Sequence, residues 1–283
     1  MLESNIVLEN VIPVSPVAPW MGGKSQLAPI LCPLIDRIPH VTYAEPFMGM
    51  GGIFFRRSRK PKAEIINDFS RDVINLFRIL SRHFPQFCDV LKWQVTSRAE
   101  FERLKAADPN TLTDLERAAR FLYLQRTCFG GKVRGQNFGI IPDGPARFDL
   151  TKLVPLLEEV HSRLTSVVIE NLDYKDFIAR YDREGALFYL DPPYYECETD
   201  YGKDAFSRDE FPLMAEILKN IQGRFILSIN DHPDIRGIFS GFLFKEVEVQ
   251  YSVGGGEKVG RFGELIISNF DLTEFEDKDL FDV

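Results

Sequence analysis

Leu187-Phe188-Tyr189-Leu190-Asp191-Pro192-Pro193-Tyr194-Tyr195 decides how this chain is read. Four apolar residues end abruptly in an acid, two prolines and two aromatics. The apolar run predicts a short strand buried on both faces. Pro192 and Pro193 fix φ and cannot donate ladder hydrogen bonds, so the strand must stop there. Pro192 also holds Asp191 in extended geometry. A carboxylate, a backbone carbonyl and an aromatic face therefore meet at the carboxyl end of a strand, where open α/β sheets bind their ligands.

That shelf suits a flat base carrying an exocyclic amine. The Asp191 carboxylate can accept one N–H, the Pro192 carbonyl the other, and the Tyr194 ring can stack on the base. Two acceptors draw the amine out of conjugation and aim its lone pair at an electrophile. The competing reading is an ordinary Pro-Pro turn with a stray acid, so the rest of the chain has to supply the electrophile.

Upstream, Val41-Thr42-Tyr43-Ala44 reads as a strand running into Glu45-Pro46-Phe47-Met48-Gly49-Met50-Gly51-Gly52 and then a helix. Glycines in such a turn let a ligand approach the backbone. Residue 54 is Phe, so the dinucleotide spacing G-x-G-x-x-G is absent. The next strand, Glu64–Asn67, ends in Asp68, placed to accept from ribose hydroxyls. Together these describe a nucleoside cofactor site. Ahead of it, Trp20-Met21-Gly22-Gly23-Lys24 leads into a helix with apolar residues at Leu27, Ile30, Leu31, Leu34, Ile35 and Ile38. That places the glycines and Lys24 at a helix amino end, ready for an anionic group. Ala18, Gly23, Lys24 and Ser25 also match a relaxed phosphate loop, but Pro-Val-Ala-Pro precedes them where that motif needs a buried strand.

Between Asp68 and Asp191 the pattern is mostly helical, with three- and four-residue apolar spacing over Phe69–Leu80, Arg98–Ala106 and Thr113–Gln125. A loop from Arg126 to Gly139 then mixes glycines, bases, amides, Phe129 and Phe138, the combination a nucleic-acid contact needs. The alternative is a surface loop whose Phe residues pack inward. Strands resume at Val167–Asn171, with Asp173 at a helix start. Ser207 and Glu210 resemble a capping box. Arg224–Ile229 is a further strand, and Phe242–Tyr251 and Gly263–Ser268 form a closing pair. His232 reads as structural rather than as a general base.

At 283 residues the chain can hold one large core plus an insert. The net charge of −8 is unevenly spread: the tail from Asp271 holds six acids and one lysine, whereas Arg117 to Asn137 holds five bases and no acid. A local basic face on a mildly acidic protein is compatible with DNA. No apolar run reaches the roughly 18 residues of a membrane span. There is no signal-peptide pattern, and four scattered cysteines fit a reducing, cytoplasmic setting without zinc. Cys32 reads as a buried helix residue.

Taken together, Trp20 to Lys24, Glu45 to Gly51, Asn67-Asp68 and Asp191 to Tyr194 resemble, in this order and spacing, the Dam-type DNA adenine methylases, which are adenine-specific and S-adenosylmethionine-dependent. The resemblance runs from about Trp20 to Asn269. It implies a Rossmann-like α/β methyltransferase fold with a mixed sheet and helices on both faces, formed by residues 1–69 and 166–270. A mainly helical DNA-recognition insert spans 70–165 and an acidic tail 271–283. It implies Asp191, Pro192, Pro193 and Tyr194 as the catalytic motif. Cofactor contacts are expected at Trp20, Gly23, Lys24, Glu45, Phe47, Gly49, Gly51, Asp68, Asp173 and Asp191, with no metal. Arg126, Phe129, Lys132 and Arg134 are expected to meet DNA, with Phe129 as the wedge that fills the gap left by a flipped base. The partner implied is double-stranded DNA, for an enzyme working as a monomer, with a cognate restriction endonuclease as an optional companion. Gly130-Gly131 stands where members carry Asn-Gly, and Arg134–Phe138 is shorter than in GATC-specific members, so no target sequence is carried over. The alternatives are transfer to cytosine in DNA or guanine in RNA, a DNA-binding module without activity, and a triphosphatase.

Overall fold

The computed structural model describes residues 6–141, 143–198, 206–252 and 259–275, with backbone alone at 250–252 and 259–262. The chain opens with an extended lead-in whose β1 (Glu9–Asn10) pairs with β3 (Arg59–Lys60). Between them come α1 (Ala28–Arg37) and β2 (Thr42–Glu45), and β4 (Ala63–Asn67) follows. Five helices come next: α2 (Arg71–Arg82), α3 (Phe84–Leu91), α4 (Arg98–Ala106), α5 (Asp114–Thr127) and α6 (Leu150–Leu164). Then β5 (Val167–Glu170), α7 (Tyr174–Tyr181), β6 (Ala186–Leu190), α8 (Glu210–Lys219), β7 (Arg224–Asn230), α9 (Pro233–Ile238), β8 (Leu243–Ser252) and β9 (Val259–Ser268) complete it.

Seven strands form one mixed sheet in the order β5-β4-β2-β6-β7-β9-β8. The pairs from β5 to β7 are parallel, while β9 runs antiparallel to both its neighbours. The chain moves outward from β2 through β4 to β5, then returns to β6 and leaves in the other direction. The switch point therefore lies between β2 and β6, which places a ligand crevice beyond their carboxyl ends. Those ends carry Glu45 and Asp191.

β6 is buried over its whole length, as its apolar run predicts. Its side chains alternate between two cores with the period of two that a strand imposes. Leu187 and Tyr189 join the cluster under α1 and α2–α6, and Ala186, Phe188 and Leu190 the one under α7–α9. Helices thus cover both faces, and the five helices of the insert share a core with one face of the sheet. At their far end Glu64 on β4 takes a bidentate pair from Arg163 on α6, at 2.6 and 2.7 Å, and a second ion pair from Arg57.

Several sequence expectations are corrected. The glycine turn after β2 runs into a single 3-10 turn, Phe54–Arg56, and not an α-helix. The Ser207–Glu210 box does not form. Glu210 opens α8 but turns its carboxylate to Tyr174 and Lys175. A capping box does form at Thr113 and Glu116, opening α5. α3 and α9 each begin with Pro in the first turn, where the missing N–H costs nothing. The start of the acidic tail packs on the body, with Leu272 buried and Arg37 donating to the Phe275 carbonyl at 3.4 Å. Residues 276–283 of that expectation lie outside the described residues.

Candidate active site

Beyond the carboxyl ends of β2, β4 and β6 opens a cavity of about 760 Å³, within the usual range of small-molecule sites. Trp20, Gly23, Lys24, Glu45, Phe47, Gly49, Asp68 and Asp191 all line it. The loop after β2 reaches it because two glycines adopt positive φ, +50° at Gly49 and +72° at Gly51. A Cβ on Gly49 would lie 2.7 Å from the Trp20 indole nitrogen, so only glycine lets the backbone and that ring meet. Gly51 does not line the cavity. It lets the turn close against Met48 and Phe55. Asp68 ties the turn down from β4, accepting from the Gly49 and Ser70 amides at 2.8 Å each.

Three carboxyl groups therefore share one enclosure. Burial pushes Glu45 up to about 8, against the hydrogen bond from the Tyr43 hydroxyl at 2.8 Å. Burial pushes Asp68 up to about 6, against its two amide donors. Asp191 also stands at about 6, raised by burial, lowered by Lys24 and raised further by the charge of Glu264. Lys24, only 2% exposed, pairs with Asp191, donates to the Gly22 carbonyl at 3.1 Å and sits 4.5 Å from the centre of the Tyr194 ring. Its carrier is a turn that precedes α1, which starts only at Ala28. Lys24 thus serves the acid at the tip of β6, and no strand leads into it as a phosphate loop would need.

The family model described as D12 class N6 adenine-specific DNA methyltransferase matches residues 20–253. The chain belongs to that family. It is 27% identical to the type II methyltransferase M1.LlaDCHI of Lactococcus lactis subsp. cremoris, over 94% of this chain and 99% of the relative. It is 26% identical to the type II methyltransferase M.CviBI of Paramecium bursaria Chlorella virus NC1A, over 84% and 91%. It is also 26% identical to the DNA adenine methylase of Haemophilus influenzae, over 89% and 92%.

As a D12 class adenine methyltransferase the protein uses S-adenosylmethionine, and the cavity fits that molecule. It offers one buried and two half-buried carboxyl groups, Glu45, Asp68 and Asp191, for a sulfonium, an ammonium and a ribose diol. The aromatic rings of Trp20, Phe47 and Phe69 stand beside them, together with a glycine backbone that a Cβ would obstruct. Among the described residues no group of three His, Cys, Asp or Glu side chains is placed to hold a metal ion. No described helix is long and apolar enough to cross a membrane.

Other predicted residues fall elsewhere. Asp173 is not in the cavity wall; it caps α7, accepting from the Lys175 amide at 2.9 Å. The basic stretch is not one face. Arg117 pairs with Asp72, Arg120 donates to the Leu104 carbonyl at 2.7 Å, and Arg126 donates to the Val17 carbonyl at 2.6 Å. Helical wrapping turns those three onto the protein, though Arg126 still lines the cavity; Lys132 and Arg134 stay exposed, Arg134 likewise at the cavity wall. The two Phe residues divide. Phe138 packs on Phe101 at 5.6 Å, while Phe129 is 52% exposed in a 3-10 turn. His232 caps α9 with Nδ1, accepting from the Asp234 amide at 3.2 Å.

Sequence reasoning missed Arg56, Phe69 and Phe206 in the wall. Phe206 follows no motif and reaches Phe47 only through folding, at 6.0 Å. Gln125 was also missed. Fully buried, it donates to the Pro19 carbonyl at 2.8 Å and the Gly131 carbonyl at 2.6 Å, joining the Phe129 loop to the segment that carries Trp20.

Proposed function

We propose that Asp191 and the Pro192 carbonyl accept the two amino hydrogens of an adenine flipped out of duplex DNA, while Tyr194 stacks on its ring. The observation that carries this reading is the position of Asp191. Its carboxylate lines the donor cavity from the tip of β6, and the Pro-Pro shelf leads directly away from it. S-adenosylmethionine supplies a methyl group on a positively charged sulfur. Trp20, Phe47, Asp68 and Glu45 hold that donor, with Gly23 and Gly49 giving it room. Lys24 neutralises Asp191 between turnovers and occupies one face of Tyr194, leaving the other to the base. The two acceptors keep the amine's lone pair aimed at the methyl carbon and disperse the charge that grows on nitrogen. Such positioning can remove roughly 7–11 kcal/mol of barrier.

The helical insert, residues 70–165, serves as the reader. Phe129 enters the stack as the base leaves, and extrusion costs a few kcal/mol. Lys132 and Arg134 address base edges or phosphates; Arg126 supports the loop from within. The enzyme works as a monomer on double-stranded DNA, in the cytoplasm, and the type II names of its relatives favour a companion restriction endonuclease.

The test is incubation with methyl-labelled S-adenosylmethionine and duplex DNA or RNA, followed by nucleoside analysis. Label in N6-methyladenine from DNA is expected, with loss of at least about a thousandfold in Asp191→Ala while the protein stays folded, its urea midpoint without donor unchanged. Near-normal turnover in Asp191→Ala would reject the assignment. Modified-base sequencing of DNA from expressing cells reads the target context.

A further inference from the structure

The stretch Ser228-Ile229-Asn230-Asp231-His232 and the closing strand have no part in the chemistry so far, yet both reach Tyr194 and Tyr195. Asn230 ends β7 and lies directly opposite Glu264 of β9 in the antiparallel register. Residues opposed in this way project on the same side of a sheet. Asn230 grips the backbone of Tyr195 at both ends, accepting from its N–H at 2.9 Å and donating to its C=O at 3.2 Å. Glu264, 1% exposed, accepts the Tyr194 hydroxyl proton. The Asp231 amide donates to the Gly263 carbonyl at 2.9 Å, locking the two strand ends together.

The segment they hold is a tight turn. The Cys197 amide donates to the Tyr194 carbonyl at 2.9 Å, and Glu196 sits at φ +72°, which a non-glycine residue rarely adopts. A turn of this kind would relax without outside restraint. Burying a carboxylate is costly unless it is paired, so a fully buried glutamate ending on a catalytic tyrosine points to more than packing.

We propose that Asn230 and Glu264 form a cross-strand bracket that sets the Tyr194 ring at the angle needed to stack on the flipped adenine, making both positioning residues for methyl transfer. Asn230 fixes the backbone and Glu264 fixes the ring through its hydroxyl. The inference rests on the stacking role proposed for Tyr194. The charge of Glu264 also bears on Asp191, as does that of Lys24, so the bracket couples the stacking ring to the acid that holds the amine.

The test uses the full chain, phage DNA carrying the sequenced target and S-adenosylmethionine. Glu264→Ala and Tyr194→Phe are each expected to lower kcat/KM for DNA by about 10- to 100-fold. Donor dissociation constants should stay within about twofold, because neither residue lines the donor cavity. The double variant should be no worse than the poorer single one, since both remove the same bond. Glu264→Gln, which keeps an acceptor of the same shape, should recover most of the loss. It should also move the acid limb of the rate profile to lower pH, because a negative neighbour of Asp191 is gone. Wild-type rates in Glu264→Ala, additive losses, or an equal loss of donor binding would overturn the bracket. Tyr194→Ala separates the two ideas. Full activity there would reject stacking itself, whereas a dead Tyr194→Ala beside a fully active Tyr194→Phe would reject the bracket alone.

Discussion

Glu45, Asp68 and Asp191 crowd three carboxyl groups into one cavity, with Lys24 as the buried cation paired to Asp191. Burial holds Glu45 at about 8, so near neutral pH it is mostly protonated when the cavity is empty. A positively charged donor favours its ionised form. Donor binding at pH 7 should therefore release protons. Calorimetry in buffers of different ionisation enthalpy measures this, and proton uptake would contradict it. In the role proposed for it Asp191 must be ionised to accept from the amine, so single-turnover rates should fall about tenfold per unit below pH 6. Lys24 pulls the Asp191 pKa down; in Lys24→Met the acid limb should move to higher pH, and an unmoved limb would show that Asp191 is not the group titrating. These residues were legible in the sequence because each sits within a few positions of a strand end or a glycine turn. Asn230 and Glu264 were not. Their meaning depends on strand register, which brings residues 35 and 70 positions distant onto one turn.

Among the elements, the loop after β2 was readable as a close-approach turn, but the helix expected behind it was not there. Phe54 and Phe55 are both buried in a single 3-10 turn, where their rings pack on each other and Phe55 on Phe77 of α2. Gly51→Ala places a Cβ at φ +72° against the Met48 methyl at 2.6 Å. It should destabilise the fold by about 2 kcal/mol or more, read as a lower urea midpoint; an unchanged midpoint would mean the turn can repack. The basic stretch misled for the opposite reason. Linear charge counting ignores that α5 winds three of its arginines toward carbonyls and Asp72. Gln125, near the end of the same helix, fastens the Phe129 loop to the Trp20 segment, so movement of one side must be felt by the other.

For the whole molecule, a mixed sheet and a mostly helical stretch between Asp68 and Asp191 could be read from the order of the motifs. The sharing of one core between insert and sheet could not, because it depends on which face each helix turns down. Glu64, Arg57 and Arg163 fasten the end of the insert to β4. Arg163→Ala should cost about 3 kcal/mol, the low end for a broken buried pair because Arg57 still faces Glu64. It should lower the melting temperature without separating insert and sheet transitions; two resolved transitions would show that they fold apart. The order β7-β9-β8 has a consequence for biogenesis. β9, made after both its neighbours, slots between them, so β7 keeps an open hydrogen-bonding edge until residues 259–268 leave the ribosome. Glu264 lies on that late strand, so its contact with the Tyr194 hydroxyl can form only after β6, β7 and β8 have all been synthesised.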